Sequence, residues 1–578
     1  MKHLSLPVLL AAVSLIGCTG GEGARDGGAP ADGGGTPCPA GFKPSCSGDA
    51  MKLTECAGGL IKTTDCYLEL GMLCENAKCV EPWKYGSPVY PDCADDPRAT
   101  PESLAAKAAH YDELARNLHV QPQHNIVNSV ELKDGFTQKS ATWKDVARFH
   151  VGENDGLWSS SYIASQAFRY GATRDPEALE NLRNTVKGMA RQFAITGVPG
   201  LVTREYITPG IGGMACPTDP KEYIPDVEKD DNRWLRIDEN GCVNTYDGTN
   251  WVVTSHCVDK GFAGYCWLDN VSQDEYSGHM LGMGAIGKLV DDAEIKGVAA
   301  SLAGQTAMHL KTHDMTFVDW DGRVTEHGKI YPSSFSDYPG FSASLAMSWM
   351  KVGAALSGDR SLETFYNVCL LKLTGKKNCL PYPFEDGRSY LEFLPEAVLY
   401  RSDDGCTNNY NNFNMIFMAI FNLLWYENRP EIRQNIQAVY EDTMMKSGPG
   451  VKRQMVTQKN SFFNFAYAAM KRLGPGSTGP ALAEVGDAIC SLREFPATKE
   501  ALAHDNTTLP YDCKGRLGGD LTFDPVPTGD RCQGIFTWTA DPYQMNRCGA
   551  DPRQVQAPVD YLLAYWMGRY FGFITPGM

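Results

Sequence analysis

The sequence predicts an all-α protein whose helical hairpins close into an (α/α)6 toroid, with long loop and β-hairpin insertions and a small disulfide-rich amino-terminal module. Apolar residues recur at three- and four-residue spacing in about a dozen segments, as in amphipathic helices. Only a few residues separate many consecutive segments, and short links favour antiparallel neighbours. A ring of inner and outer helices buries the apolar faces of such hairpins. An open helical solenoid is the alternative.

The first eighteen residues have the pattern of an export leader. Lys2 and His3 precede an apolar run that ends in Leu15-Ile16-Gly17-Cys18, the pattern read by lipoprotein processing enzymes. We expect residues 1–18 to be a lipoprotein signal peptide and Cys18 to be the lipidated residue. Acylation there anchors the chain to a membrane of the bacterial cell envelope, exposed to the periplasm or the cell surface. An ordinary secretory leader with an accidental cysteine is the alternative.

The next segments predict a tether followed by a cross-linked module. Residues 19–37 are rich in glycine and poor in apolar side chains, which is typical of a flexible tether. Residues 38–80 have too little apolar material for a sufficient core, so disulfides are expected to stabilise them. They contain no histidine and no paired CxxC knuckles, which argues against zinc. Their six cysteines are Cys38, Cys46, Cys56, Cys66, Cys74 and Cys79.

Composition and the missing motifs exclude several classes of protein. The formal net charge is −16, so phosphate backbones are repelled and nucleic acid is a poor partner. The sequence has no GxxxxGKS phosphate loop, no GxGxxG after a strand, no HExxH and no GxSxG. We therefore expect no cofactor. We also expect no metal, because the turn at Asp319 lacks the further oxygen ligands of a calcium loop.

Residues 95–578 are expected to form one domain, since no convincing linker divides them. Asp175-Pro176-Glu177 combines a capping residue, a proline and an acid, a pattern typical of a helix start. Asp291 before Glu294 is similar. The predicted helices are 101–118, 158–171, 176–195, 273–290, 292–312, 340–357, 360–373, 408–426, 430–445, 458–473, 481–493 and 557–571.

Two regions interrupt the helical pattern. Residues 198–272 and 314–339 are rich in glycine, proline and aromatic residues, and we expect long loops there. Within the second region, Asp321-Gly322 separates two extended stretches of 316–325, which predicts a β-hairpin. Long loops in a compact domain are usually functional, and on a toroid they collect at the rim of the central cavity.

Four motifs in the large domain resemble those of bacterial six-hairpin glycosidase-like proteins. The resemblance covers roughly residues 100 to 571 and implies the (α/α)6 fold and work on carbohydrates, by hydrolysis or lytic cleavage. It assigns no catalytic residue. The motifs are Gly152-Glu153-Asn154-Asp155-Gly156-Leu157-Trp158 with Tyr162, Gln166 and Phe168-Arg169-Tyr170; Ser272-Gln273-Asp274-Glu275-Tyr276-Ser277-Gly278-His279; Asp319-Trp320-Asp321-Gly322-Arg323 with Gly328; and Tyr565-Trp566-Met567-Gly568-Arg569-Tyr570.

The candidate catalytic residues are Asp155, Asp274, Glu275 and His279. Glycoside cleavage needs one carboxylic acid to protonate the leaving oxygen and a second carboxylate to attack or to activate water. Two acidic helix starts that face one cavity fit this requirement, and His279 shares a helix face with Glu275. The alternatives are helix capping for the three acids and a satisfied buried side chain for His279.

The candidate substrate-binding residues are aromatic or basic. Aromatic planes stack on sugar rings, and arginine clamps an acidic sugar with two hydrogen bonds, although core packing and salt bridges are the alternative roles. The polar run Asn408–Asn414 is a further candidate for a hydrogen-bonding surface, with a plain loop as the alternative. The candidates in the large domain's motifs and loops are Trp158, Arg204, Tyr276, Trp320 and Arg323.

These observations predict a surface-tethered carbohydrate-active enzyme that acts on a poly- or oligosaccharide. A glycoside hydrolase using carboxylate acid–base chemistry in the toroid cavity is the leading hypothesis. A polysaccharide lyase is the nearest variant. A non-catalytic surface lipoprotein that binds glycan or protein is the rival from another class.

Overall fold

The architecture comes from a computed structural model of the chain. It describes residues 36–47, 52–66, 73–75, 77–80, 92–225, 232–335, 338–371, 387–397, 405–445, 453, 455–473, 482–532 and 541–578. The predicted signal peptide with Cys18, and all but the last two residues of the predicted tether, lie outside these ranges.

Helices dominate the described residues and coincide with the predicted segments. Capping begins several of them: the Asp175 side chain accepts from the amide of Glu177, as expected. At the start of α5 the cap is Asp292, one residue after the expected Asp291, and it accepts from the amides of Glu294 and Ile295. The helices are α1 Leu104–Leu114, α2 Asp155–Thr173, α3 Pro176–Ala194, α4 Gln273–Leu289, α5 Ala293–Thr312, α6 Pro339–Ser357, α7 Arg360–Phe365, α8 Tyr390–Phe393, α9 Tyr410–Tyr426, α10 Pro430–Val439, α11 Ser461–Leu473, α12 Leu482–Glu494 and α13 Val559–Tyr570.

The helices form a closed ring, which confirms the (α/α)6 toroid rather than an open solenoid. The inner helices contact one another in the order α2, α4, α6, α9, α11 and α13, and α13 returns to α2. Each outer helix packs on the inside of the ring. Helix α1 packs on α13, α3 on α2, and α5 on both α4 and α6. Helix α7 packs on α6, α10 on α9, and α12 on α11. A solenoid would leave its two end helices apart.

Aromatic side chains fill the ring where inner helices end. Phe168 near the end of α2 stacks on Trp425 of α9 at 5.7 Å and lies 5.7 Å from Tyr570 of α13. The starts of α2 and α4 likewise adjoin each other, since a Cβ atom at Gly156 would lie 3.1 Å from His279. These inner helices therefore run parallel.

The insertions contain more regular structure than expected. Residues 198–272, expected as loops, instead include an antiparallel sheet in the order β11-β10-β9-β12-β8. Its strands β8 and β12 are three residues long and fully buried, so no alternating polar pattern marks them in the sequence. The strands of this sheet are β8 Glu205–Ile207, β9 Trp234–Ile237, β10 Cys242–Tyr246, β11 Trp251–Cys257 and β12 Cys266–Leu268.

The predicted β-hairpin is present, and further sheets surround it. The hairpin pairs β13 Thr316–Val318 with β14 Val324–Lys329 around the turn at Gly322. A second sheet has the order β15-β20-β6-β7 and two strand pairs join β16 to β19 and β17 to β18. These strands are β6 Ser129–Leu132, β7 Val146–His150, β15 Glu500–Ala501, β16 His504–Asp505, β17 Tyr511–Lys514, β18 Asp520–Thr522, β19 Arg547–Cys548 and β20 Asp551–Gln556.

Disulfides cross-link the amino-terminal module within itself, as predicted. Its strands are β1 Ser45–Cys46, β2 Lys52–Ala57, β3 Leu60–Asp65, β4 Leu73–Glu75 and β5 Lys78–Val80. Its bridges are Cys38–Cys56, Cys46–Cys74 and Cys66–Cys79. Further bridges fasten insertions of the large domain: Cys93–Cys490, Cys216–Cys266, Cys242–Cys257, Cys406–Cys513 and Cys532–Cys548.

Within the described ranges, no helix combines the length and the apolar character that crossing a lipid bilayer requires.

Candidate active site

The sequence-predicted acids gather where α2 and α4 begin. Asp155 opens α2, while Ser272 caps α4 and forms a reciprocal capping box with Glu275. A Cβ atom at Gly156 would lie 3.1 Å from His279 Nε2 and 3.3 Å from Glu275 Cγ, which is tighter than an ordinary contact. Because glycine has no side chain, the two helices can approach closely here. The structure therefore brings Asp155, Glu275 and His279 together, and it leaves Asp274 on the outer side of the same helix start.

Asp155 is fully buried and hydrogen-bonded to the backbone. Its Oδ1 accepts from the amide of Asn128 and its Oδ2 from the amide of Gly152, both at 2.9 Å. Glu205 in β8 contacts the same carboxyl group. Burial raises the pKa of both acids well above the usual range. The charge of Asp155 raises the pKa of Glu205 further, whereas the contact with Glu205 lowers the pKa of Asp155.

Glu275 is equally buried but has different partners. Its Oε2 accepts from the amide nitrogen of Ser272 at 3.0 Å and from the Ser272 hydroxyl at 2.7 Å. The Asn154 amide, turned to present its nitrogen, donates to Oε1 at 2.8 Å. Burial raises the pKa of Glu275 to about 7, against the opposing charge of Arg204. Glu275 thus holds the α4 start in place from inside the fold.

His279 lies one turn further along α4 and is neutral. Its Nδ1 lies 2.6 Å from the Ser160 hydroxyl, and the Phe193 ring meets its ring edge to face at 5.4 Å. Burial lowers the pKa of His279 to about 3. Its Nε2 and the side-chain amide of the adjoining Gln192 have no hydrogen-bond partner among the residues that the structure describes. We call Asp155, Glu205, Glu275 and His279 the buried cluster.

Asp274 differs from the other acids because it is partly exposed. The Ser272 hydroxyl lies 2.9 Å from Asp274 Oδ2 and 2.7 Å from Glu275 Oε2. One hydroxyl proton serves one of these oxygens, and a proton on either Asp274 or Glu275 satisfies the second contact. Burial raises the pKa of Asp274, while the charges of Arg204 and His327 lower it. Asp274 is therefore an acid that can hold a proton near the surface.

Arg204 forms an ion pair with an exposed acid, Glu153, and its charge also acts on Asp274. Its side chain is 4 % exposed, and its NH2 lies 3.7 Å from Oε2 of Glu153, whose side chain is 56 % exposed. The Asn232 amide donates to Glu153 at 3.2 Å and accepts from Arg204 at 2.8 Å. We call Glu153, Arg204 and Asp274 the rim triad.

An open cavity of about 500 Å³ adjoins the rim triad at Glu153. Its walls come from the loop before α2 and from the five-stranded sheet. The lining residues are Val151, Gly152, Glu153, Asp219, Lys221, Glu222, Ile224, Asn232, Arg233, Trp234 and Leu268.

Two of the predicted aromatic platforms lie in the core. Trp158 is 3 % exposed and Tyr276 is fully buried. The Tyr276 ring stacks on Phe317 at 3.6 Å, and its hydroxyl donates to the carbonyl of Gly200 at 2.9 Å. Their role in substrate binding stays a prediction. In the structure both side chains pack in the core.

Trp320 and Arg323 fasten the β13–β14 hairpin to the five-stranded sheet. Arg323 binds Asp269 at 3.1 Å, and Arg233 binds the same carboxylate at 2.8 Å. The Arg233 guanidinium also lies over the Trp320 ring at 5.2 Å. This network positions the hairpin beside the rim, so the hairpin contributes indirectly to the shape of the site.

Sequence reasoning passed over Glu153, Glu205 and Asn232. Glu153 stands inside the motif that singled out Asp155, and Glu205 directly follows Arg204. A search for every acid beside a motif residue finds both. Asn232 carries no such signal, because only the fold of β9 brings it to Arg204.

Comparisons with known proteins give remote structural matches only. No protein-family model and no curated protein matches the chain. A family 76 α-mannanase of Bacteroides thetaiotaomicron is 9% identical, with a TM-score of 0.35, covering 82% of this chain and 96% of that one. A metagenome-derived family 9 endoglucanase is 12% identical, with a TM-score of 0.35 and coverages of 82% and 80%. The Cel9M cellulase of C. cellulolyticum is 11% identical, with a TM-score of 0.33 and coverages of 82% and 99%.

Proposed function

We propose that this protein is a carbohydrate-active enzyme, a glycoside hydrolase, whose reaction takes place at the rim triad. The observation that carries the proposal is that Arg204 acts on two acids: its NH2 lies 3.7 Å from Glu153 Oε2, and its charge lowers the pKa of Asp274. Burial raises the pKa of Asp274, whereas Glu153 is paired with Arg204 and Asn232. The two acids therefore stand in different environments.

This arrangement provides the two groups that glycoside hydrolysis needs. In the proposed reaction Asp274 donates its proton to the glycosidic oxygen as the bond from that oxygen to the anomeric carbon breaks. Glu153 takes a proton from the attacking water, or attacks the anomeric carbon itself before water releases the sugar. Arg204 positions Glu153 through the ion pair between them. General acid–base groups of this kind contribute about 10²- to 10⁴-fold each to the rate.

The buried cluster has a positioning role in this proposal. Ser272 contacts both Asp274 and Glu275, so a proton on Glu275 leaves the hydroxyl free to donate to Asp274, and the reverse. Asp155 fixes the loop that carries Glu153 through the amide of Gly152. None of the four cluster residues is exposed, so they act through the rim triad rather than on the substrate.

The experiment is a glycan-panel turnover assay on the full chain with Glu153→Gln and Asp274→Asn. We expect each variant to reduce kcat/KM at least about 100-fold on the glycan that the wild type cleaves. Loss of the Asp274 proton should also switch off the wild-type activity as the pH rises through the raised pKa of Asp274. Glu222→Gln is the matched control, because Glu222 is an exposed acid on the wall of the same cavity.

Retained turnover in both variants would refute the proposal. Cleavage that yields an unsaturated, ultraviolet-absorbing product identifies a lyase instead of a hydrolase. Binding of glycans without turnover by the wild type supports the non-catalytic binding protein.

A further inference from the structure

A second cavity lies at the start of α9, in a different part of the ring. It has a volume of about 310 Å³ and opens between the α9 start, the turn of the β17–β18 hairpin and the segment before β19. We call it the asparagine cavity. Its lining residues are Asn408, Asn409, Tyr410, Asn411, Gly515, Arg516, Leu517, Arg531, Cys532, Asp541, Gln544 and Asn546.

Buried polar groups in this cavity have no hydrogen-bond partner among the described residues. The Asn408 side chain is 4 % exposed, yet neither its amide nitrogen nor its amide oxygen makes a hydrogen bond within that part of the chain. The Asn546 amide oxygen is also without a partner there. Most buried polar groups in proteins are hydrogen-bonded, because an unmet donor or acceptor costs about 1–3 kcal/mol. A ligand that both donates and accepts removes that cost.

The charged residues of the cavity nearly balance one another. Asp541 accepts from the amide of Tyr543 at 2.9 Å, and burial raises the pKa of Asp541 to about 6. Two donors of the buried Arg531 point instead to the carbonyls of Val526 and Gln458. The other basic residue of the wall, Arg516, is exposed, whereas Arg531 is buried and Asp541 is partly buried. With one buried group of each sign, the deep part of the cavity favours a neutral ligand over an ion.

An apolar side chain projects beside this polar cavity. Leu517 lies in the hairpin turn and is 85 % exposed, which leaves its apolar surface in water. A flat ligand with hydroxyl groups on its edges and an apolar face fits both features. The edges hydrogen-bond to the amides, and the face packs under Leu517.

We propose that the asparagine cavity binds one residue of a neutral saccharide. Each sugar hydroxyl donates and accepts, which matches the paired donors and acceptors of Asn408, Asn411 and Asn546. The volume lies at the lower end of the range of about 300–1,000 Å³ for ligand pockets, so it accommodates one ring. This inference does not depend on chemistry at the rim triad, because the two sites share no residue.

The test is calorimetric titration of the full chain with methyl glycosides of glucose, mannose, galactose and N-acetylglucosamine, and with the matching uronic acids. We expect at least one neutral glycoside to bind, and Asn408→Ala, Asp541→Asn and Leu517→Ser each to weaken it at least tenfold. Asn240→Ala and Leu509→Ser are the controls, since both residues are exposed elsewhere. Glu153→Gln and Asp274→Asn should leave the affinity unchanged, which separates this inference from the proposed reaction.

Three outcomes would overturn the inference. These are no binding by any glycoside, unchanged affinity in the Asn408 and Leu517 variants, or binding to a uronic acid at least tenfold tighter than to its neutral counterpart. Leu517→Ser keeps the test decisive if Asn408→Ala fails to fold, because Leu517 is exposed and its replacement removes little packing.

Discussion

The buried cluster and the asparagine cavity both place polar side chains at the starts of inner helices, but they treat hydrogen bonds differently. Asp155 and Glu275 each accept hydrogen bonds from two or more donors, some of them backbone amides. The Asn408 side chain makes no hydrogen bond to any described residue. Carboxylates with all their hydrogen bonds made stabilise the fold around them. Side-chain amides without hydrogen-bond partners, beside an opening, are available to a ligand. The same helix-start position therefore supports two different roles.

The largest expected effect concerns how the cavity walls are joined. A disulfide joins Cys406, which lies just before Asn408, to Cys513, which lies just before the turn of the β17–β18 hairpin. The bridge therefore links two walls of the asparagine cavity, the α9 start and the hairpin. It closes a sequence separation of 107 residues. We expect Cys406→Ser/Cys513→Ser to lower the free energy of unfolding by about 4 kcal/mol and to abolish saccharide binding. Denaturant titration and calorimetry measure the two effects.

The control for the bridge is Cys242→Ser/Cys257→Ser, which removes a disulfide between neighbouring strands away from the cavity. It should destabilise the protein and leave saccharide binding intact. Unchanged binding in the Cys406 and Cys513 variant would show that noncovalent contacts hold the cavity walls.

A somewhat smaller effect on the free energy of unfolding distinguishes side chains whose hydrogen bonds are all made from side chains that make none. Asp155→Asn replaces one carboxylate oxygen by an amide NH2, which must face the backbone amide of Asn128 or of Gly152. We expect a loss of about 3 kcal/mol in the free energy of unfolding, since a buried donor loses its acceptor. Asn408→Ala removes no hydrogen bond and should change stability by less than about 1 kcal/mol. Equal losses in the two variants would remove the distinction between the regions.

The smallest effect is a pH dependence that belongs to the buried cluster. The folded chain keeps the Glu275 proton up to about pH 7, whereas the unfolded chain releases it near the ordinary pKa of 4.5. Between these values the folded state binds more protons, so the Glu275 contribution to stability falls as the pH rises.

Glu275→Gln does not titrate, and its amide oxygen can still accept from Ser272 while Asn154 turns to meet the new NH2. Relative to the wild type, this variant should therefore gain stability between pH 5 and pH 8. Thermal unfolding across that range measures the gain, with the exposed Glu222→Gln as the control. A constant difference between wild type and Glu275→Gln contradicts the raised pKa.

The sequence by itself predicted the helices and the disulfides of the amino-terminal module, and it favoured a closed ring over an open solenoid. Apolar spacing fixes which segments become helices, since a helix of this size buries one face. Short links such as Asp291 between α4 and α5 fix which helices are neighbours. Six cysteines in a segment without a large core left few partners but one another.

Tertiary structure alone decided what the polar residues do. Asp155 and Asn408 both stand at predicted helix starts, and no local pattern distinguishes them. Asp155 meets Glu205, Asn128 and Gly152 because β8 and the loop before α2 pack against it. Asn408 lines a cavity whose opposite wall is the turn of the β17–β18 hairpin, which the Cys406–Cys513 disulfide links to the segment before α9. Hydrogen-bond partners come from segments distant in the chain, so their presence is a property of packing rather than of local sequence.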